Sequence, residues 1–423
     1  MFQQSLFKPT IVSKEQLENF QILFSNLPSL EILHSRGRPL LNSKFSLLCT
    51  LIYKNLRGMT SFVDVLNEIK DIPAVKKLLG FNYIPNKERI SSFVRNTPNK
   101  FFQSIRETLL YELISFGQIT GKYLSCDNTP IFAHVKENNF KTNISNRFDK
   151  TKTPKGDPDA TLGVYVIYRP EKKIEYFWGY RNHIVNDAIA ELPIAEVTKP
   201  NNVSGSLLFI PQLKYIKDTF HFDTKAVIGD SEFDSASNIE FVIKELKAKP
   251  IIAKNPRGSS KHQISFSDTG HPICIAGIPM LSRGIYFDKQ ENRWRHKFIC
   301  RIKGSKKFAK QIGGWYPWNH PNFTNNRYGC CFNPRIDVDE SLRKSIDYGS
   351  ETFKKLYALR TSSERIFSRL LNYLIQHPSV TGLQAVSNLC TIAHITILLV
   401  ALTAVKTGHK DKTRFVKNFI RTL

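Results

Sequence analysis

Lys225-Ala226-Val227-Ile228-Gly229-Asp230-Ser231-Glu232-Phe233-Asp234 is the stretch on which the fold turns. Its first half is a short apolar run closed by glycine, the pattern of a buried strand. The residues that follow, 235–248, read as a helix. Asp234 stands just before that helix, where a carboxylate caps free N–H groups. Glu232 falls in the turn and reads as exposed. Asp230 sits at the strand end itself, and open α/β sheets bind their ligands beyond the carboxyl ends of their strands. Of the three acids, Asp230 is the candidate metal ligand.

A second strand, 122–127, ends the same way. Tyr123-Leu124-Ser125-Cys126 is closed by Asp127, and Cys126 points to the opposite face as a core residue. A third acid, Glu364, lies in a helix expected over 354–376, within Tyr357-Ala358-Leu359-Arg360-Thr361-Ser362-Ser363-Glu364-Arg365. Arg360 is one turn before Glu364 on the same face, with Arg365 and Arg369 extending the positive surface. Alone, Arg360 and Glu364 would be a surface pair of about 0.3–0.5 kcal/mol. Beside two strand-end aspartates they read as part of a site. Hard divalent cations take oxygen ligands, and two of them clamp the oxygens of an in-line phosphoryl displacement.

Around these acids, 161–168 and 174–182 read as strands joined by a turn at 170–173. A basic loop occupies 133–160, a helix 207–220 and a strand 250–253. Three early antiparallel strands followed by alternating helix and strand describe an α/β mixed sheet with flanking helices. The first 120 residues show helical spacing at 14–24, 43–56, 61–69, 74–79 and 96–117, with Asn42 and Thr60 or Ser61 as caps. They are expected as an all-helical N-terminal domain (1–120) that binds DNA. The core resumes as 121–255, is interrupted by a β-rich basic insertion at 256–350, and is completed by helices at 351–405. A basic tail covers 406–423. The apolar run 389–405 is at the short edge of a bilayer span; its polar residues on successive turns favour a buried helix and no membrane role.

Lys plus Arg number 61 against 36 acids, a net charge of +25 that attracts polyanions. Residues 246–320 hold fifteen of these cations and three acids, and 406–423 hold six against one. Trp294, Phe298, Phe308, Trp315, Tyr316 and Trp318 interleave with the charges, as in a phosphate-tracking surface. Lys303, Lys306 and Lys307 are its candidate contacts. Ser35-Arg36-Gly37-Arg38-Pro39 has the form of a small minor-groove hook, more plainly read as a surface turn. The seven cysteines are an odd number, and no charged region followed by an apolar core opens the chain, so an intracellular protein is expected. Cys274, Cys300, Cys330 and Cys331 lack the close pairs of zinc sites, which argues for buried thiols and against zinc.

These residues together resemble the DDE transposases of bacterial insertion sequences, in particular the group founded on insertion sequence four. Tyr357, Arg360 and Glu364 keep the group's Tyr-x2-Arg-x3-Glu-x6-Lys spacing, with Leu371 at the final Lys position. Gly179-Tyr180-Arg181-Asn182-His183 is similar to its Gly-Tyr-Lys-x-His strand, 227–234 to its second-aspartate block, and 382–405 to its closing helix. The resemblance implies a ribonuclease-H-like core on which Asp127, Asp230 and Glu364 hold Mg²⁺, with Mn²⁺ as a substitute. It further implies hydrolysis at each transposon end, freeing a 3′-OH that then attacks target DNA. Tyr357, Arg360, Arg365 and Arg369 would contact DNA. The expected partners are double-stranded DNA, as terminal inverted repeats and target, and a second copy in a homodimer on paired ends. The expected location is the cytoplasm, on the nucleoid. A domesticated nuclease of the same fold and a non-catalytic DNA-binding regulator are the alternatives.

Overall fold

The computed structural model describes residues 12–28, 41–167, 173–255, 265–267, 271–274, 276–313, 327–336, 342, 346–373 and 375–415. The Arg36-Gly37-Arg38 turn, Trp315, Tyr316 and Trp318, and the tail beyond Phe415 lie outside these residues. The chain forms two compact units. One comprises Met1–Phe233, Leu246–Ile252 and Tyr348–Leu423, the other Asp234–Glu245 and Ala253–Asp347.

The first unit begins with six helices, α1 (Lys14–Ser25), α2 (Lys44–Leu56), α3 (Phe62–Asp71), α4 (Pro73–Leu78), α5 (Lys87–Asn96) and α6 (Asn99–Ser115). Ser13, Ser43, Ser61 and Asn86 cap four of them through their side chains, satisfying N–H groups that a helix start leaves unpaired. Asn42, expected as a cap, instead donates to the Tyr83 carbonyl, because Ser43 is the residue directly before α2.

The sheet follows as β1 (Tyr123–Phe132), β2 (Thr161–Ile167), β3 (Lys173–Asp187) and β4 (Leu192–Pro200), then α7 (Gly205–Phe220) and β5 (Ala226–Gly229). Next come α8 (Ala236–Glu240), which belongs to the second unit, and β6 (Lys249–Ile252), the last strand of the sheet. The order is β2-β3-β1-β5-β6, with β4 also on β3. β1 is antiparallel to β3 and parallel to β5, and β5 is parallel to β6.

Several boundaries depart from the sequence reading. β1 does not stop at Asp127 but runs to Phe132. Pro130 is accommodated because past Cys126 the strand pairs with β3 and no longer with β5. β3 continues to Asp187 and β4 was not anticipated. Buried polar residues there mimic a loop, yet several are paired: Asn182 Nδ2 donates to Glu196 at 2.8 Å, and Asp187 accepts the Gly121 N–H at 2.9 Å. The helix expected over 235–248 is only α8, continued by a wide turn at Phe241–Glu245.

The second unit also holds β7 (Ser265–Phe266), β8 (Pro272–Ile273), β9 (Leu281–Asp288), β10 (Arg293–Ile299), α9 (Arg301–Gly304), α10 (Lys306–Gln311) and β11 (Cys331–Phe332). β9, β10 and β11 form a three-stranded antiparallel sheet, and β7 pairs with β8.

The chain returns to the first unit with α11 (Glu351–Ala358), α12 (Thr361–Leu371) and α13 (Leu383–Lys406). The single helix expected over 354–376 is thus two, and Glu364 lies in the first turn of the second. Ser362 and Ser363 spend their hydroxyls on tertiary partners at the break, in keeping with the preference of such residues for helix ends. α13 is apolar all round and buried, packed on α2, α5, α6 and β4. Length and composition alone would let it cross a membrane; burial makes it the core helix of this unit. Within it, Asn388 Nδ2 donates to the Val94 and Thr97 carbonyls, and His394 Nε2 lies 2.9 Å from Asn182 Oδ1.

Candidate active site

Strand periodicity sorts the residues first. Cys126 of β1 is level with Gly229 of β5, and the next residue on each chain is an acid, Asp127 and Asp230. Counting by two places both on the sheet face of Ala226 and Ile228. On that face Ala188, Ala226, Ile228 and Ile251 form a buried apolar patch covered by Phe353, Leu356, Tyr357 and Leu359. Apolar burial therefore brings α11, and the start of α12 behind it, to the aspartates.

Hydroxyls fix the last ångströms. Ser363 Oγ lies 2.9 Å from Ser125 Oγ and donates to Asn186 Oδ1 at 2.7 Å. Asn186 Nδ2 in turn donates to Ser362 Oγ at 2.9 Å. Both serines are fully buried, so their small side chains let the helix start sit directly on the sheet. Glu364, the next residue, turns outward with 54% of its side chain exposed.

Arg360 stands between the acids. Its Nη2 donates to Glu364 Oε1 at 2.6 Å and its Nη1 lies 3.6 Å from Asp127 Oδ2. Asp127 Oδ1 accepts the Asn128 N–H at 2.8 Å, and Asp230 Oδ1 accepts the Glu232 N–H at 2.8 Å. Burial pushes the Asp127 carboxyl up to about 7, and the Asp230 and Glu364 charges act the same way against Arg360. Burial also raises Asp230. Tyr357, raised by burial, hydrogen-bonds Arg360 at the edge of the site. Two crowded carboxylates with raised proton affinity are hard oxygen donors that a divalent cation would hold ionised. Among the described residues, no three His, Cys, Asp or Glu side chains already converge as a metal cage.

Glu232 is not the exposed turn residue expected from its position. Its Oε2 accepts from Asn128 Nδ2 and its Oε1 from the Gly205 N–H at the start of α7, both at 2.8 Å. Asn128 Oδ1 accepts from Arg181 Nη1 at 2.7 Å. Glu232, Asn128 and Arg181 thus form a brace alongside Asp127 and Asp230. Each is next to, or two residues from, a residue already singled out, which was the available signal. Asp234 does not cap α8; Ser235 does, while Asp234 Oδ2 accepts the Asn255 N–H.

Arg365 and Arg369 are engaged with Glu191. Arg365 donates to Glu191 Oε1 at 2.7 Å, where Arg414 also binds at 3.0 Å. Arg369 donates to the Glu191 carbonyl, and burial lowers its guanidinium to about 10. Leu371, partly exposed, ends α12. Lys303 is exposed on α9, and Lys306 and Lys307 on α10, in the second unit.

Comparison with known proteins adds three findings. No curated protein matches the chain. Among solved structures, the chain resembles a cryo-EM structure of the piggyBac transposase synaptic complex with hairpin DNA, at 11% identity and a TM-score of 0.36. That match covers 96% of this chain and 81% of the other. The family model described as Transposase DDE domain matches residues 148–399, which include Asp230 and Glu364 and begin after Asp127. The matched residues are more than half of the chain, and the chain belongs to the transposase DDE domain family.

Proposed function

We propose that this chain is an insertion-sequence transposase of the insertion sequence four group, with a ribonuclease-H-like core and Asp127, Asp230 and Glu364 as its catalytic triad. The observation that carries the reading is the Arg360 guanidinium between Asp127 and Glu364, with Asp230 level with Asp127 at the end of the adjacent parallel strand. The strand order supports the fold reading: an antiparallel β1, β3 and β4, then β5 and β6 parallel to β1 on its other side.

Asp127, Asp230 and Glu364 would hold Mg²⁺, or Mn²⁺ in its place. A bound pair of such ions supplies activation of the attacking oxygen and stabilisation of the leaving one. The chain's own groups set the geometry. Asn128, Glu232 and Arg181 keep the aspartates oriented. With the carboxylates neutralised, Arg360 is released to pair with a phosphate oxygen, and its planar fork suits that partner. Tyr357 orients Arg360 from α11. The reaction is cleavage at each transposon end, then attack of the freed 3′-OH on target DNA by a homodimer on paired ends in the cytoplasm. Arg365 and Arg369, paired with Glu191, are assigned to holding α12, and Lys303, Lys306 and Lys307 to DNA backbone contact.

Strand transfer with the chain's own flanking DNA tests this reading, with and without Mg²⁺. Products should require the metal and vanish in Asp127→Ala, Asp230→Ala and Glu364→Ala. Nicking without joining would favour a nuclease. DNA binding with no activity, unchanged by all three substitutions, would leave a regulator.

A further inference from the structure

In the second unit, three cysteines far apart in sequence stand together. Cys300 follows β10, and its N–H donates to the Tyr328 carbonyl at 3.1 Å. Cys331 pairs with Ile299, which sets Cys330 beside Cys300. The residue before Cys330 is also packed on Cys300: a Cβ on Gly329 would lie 2.6 Å from Cys300 Cβ and 3.4 Å from its Sγ. Cys330 is hydrogen-bonded through its thiol to both Cys300 and Cys274. Cys274 opens a tight turn in which its carbonyl accepts the Gly277 N–H at 2.9 Å and Gly277 takes φ of 74°.

We infer that Cys274, Cys300 and Cys330 form a binding site for one thiophilic divalent cation of the zinc class. Spacing in the sequence argued against such a site; the strand pairing supplies the proximity that spacing lacked. A tetrahedral ion with metal–sulfur bonds of about 2.3 Å holds its sulfurs about 3.8 Å apart, roughly the span of a thiol–thiol hydrogen bond. The sulfurs are linked pairwise through Cys330 and do not yet converge on one point, so ligation asks a side-chain rotation of the outer two. A fourth position is left for water or another donor, as in three-ligand zinc sites.

One further contact fixes the cluster: the Cys300 sulfur accepts from the Lys303 and Ile302 N–H groups as well as from the Cys330 thiol. The site is chemically distinct from the carboxylate cluster and independent of its assignment.

The test uses the full chain purified without chelator. Elemental analysis should find about one zinc per chain, retained through dialysis. Replacement by Co²⁺ should give intense sulfur-to-cobalt charge-transfer absorption, which carboxylate ligands do not produce. Cys330→Ser should lose both signals, while Cys331→Ala and Asp127→Ala keep them. If Cys330→Ser fails to fold, chelator competition on the Co²⁺-loaded parent chain decides. Zinc well below one per chain with no charge-transfer band, or a Cys300–Cys330 disulfide in the reduced-purified protein, would overturn the inference.

Discussion

Asp127→Asn probes the electrostatic claim most directly. Burial moves the Asp127 carboxyl from 3.8 to about 7, so the folded state holds this proton more tightly than the unfolded chain does. The sign follows from linkage. Folding gains from the raised proton affinity at low pH, and that gain is lost as pH rises from about 3.8 through about 7. Between pH 5 and pH 8 roughly two pH units fall within the window, at about 1.36 kcal/mol each, or about 2–3 kcal/mol. The side chain is 15% exposed, so little discount for solvent applies. Asn keeps an acceptor for the Asn128 N–H but cannot ionise. Urea unfolding of parent and variant, at both pH values and without divalent cations, isolates the effect, since groups distant from Asp127 cancel in the difference. The variant should gain about 2–3 kcal/mol on the parent between pH 5 and pH 8. A difference that is the same at both pH values would refute the buried-carboxylate reasoning. Mg²⁺ at pH 8 should then stabilise the parent and leave the variant unmoved, because a ligand stabilises only the state that binds it.

Other substitutions address the scaffold. Ser363→Ala removes the donor to buried Asn186 and should cost about 1–3 kcal/mol in urea unfolding, with loss of DNA cleavage as α12 lifts from β1. Glu232→Ala breaks the brace through Asn128 and Gly205 and should lower nicking about 10–100-fold while near-ultraviolet circular dichroism stays native. Gly179→Ala puts a Cβ 2.0 Å from the Ile131 carbonyl oxygen of the paired strand; a loss of about 2–3 kcal/mol or failure to fold is expected, and an unchanged melting temperature would count against the β1–β3 register.

Local pattern was enough to single out Asp127, Asp230 and Glu364 as candidates and to give a mixed sheet with helices, because strand periodicity, glycine breaks and apolar spacing are written in consecutive residues. Tyr357, Arg360 and Glu364 carry their register within two turns of chain, so their grouping was legible as well. Tertiary structure decided what depends on pairing across distance. β4 and the end of β3 were hidden because polar residues such as Asn182 and Asp187 find buried partners distant in sequence, and no local signal marks a partner. Glu232 read as exposed until Asn128 and Gly205 closed on it. Arg365 and Arg369 looked like phosphate contacts on a helix face until Glu191, in a left-handed turn, engaged both. The three thiols were 26 to 56 positions apart at their closest and farthest, and only the pairing of β10 with β11 set two of them side by side. Propensity acts along the chain, whereas burial, charge pairing and ligation act through space, and the second set assigns these residues their roles.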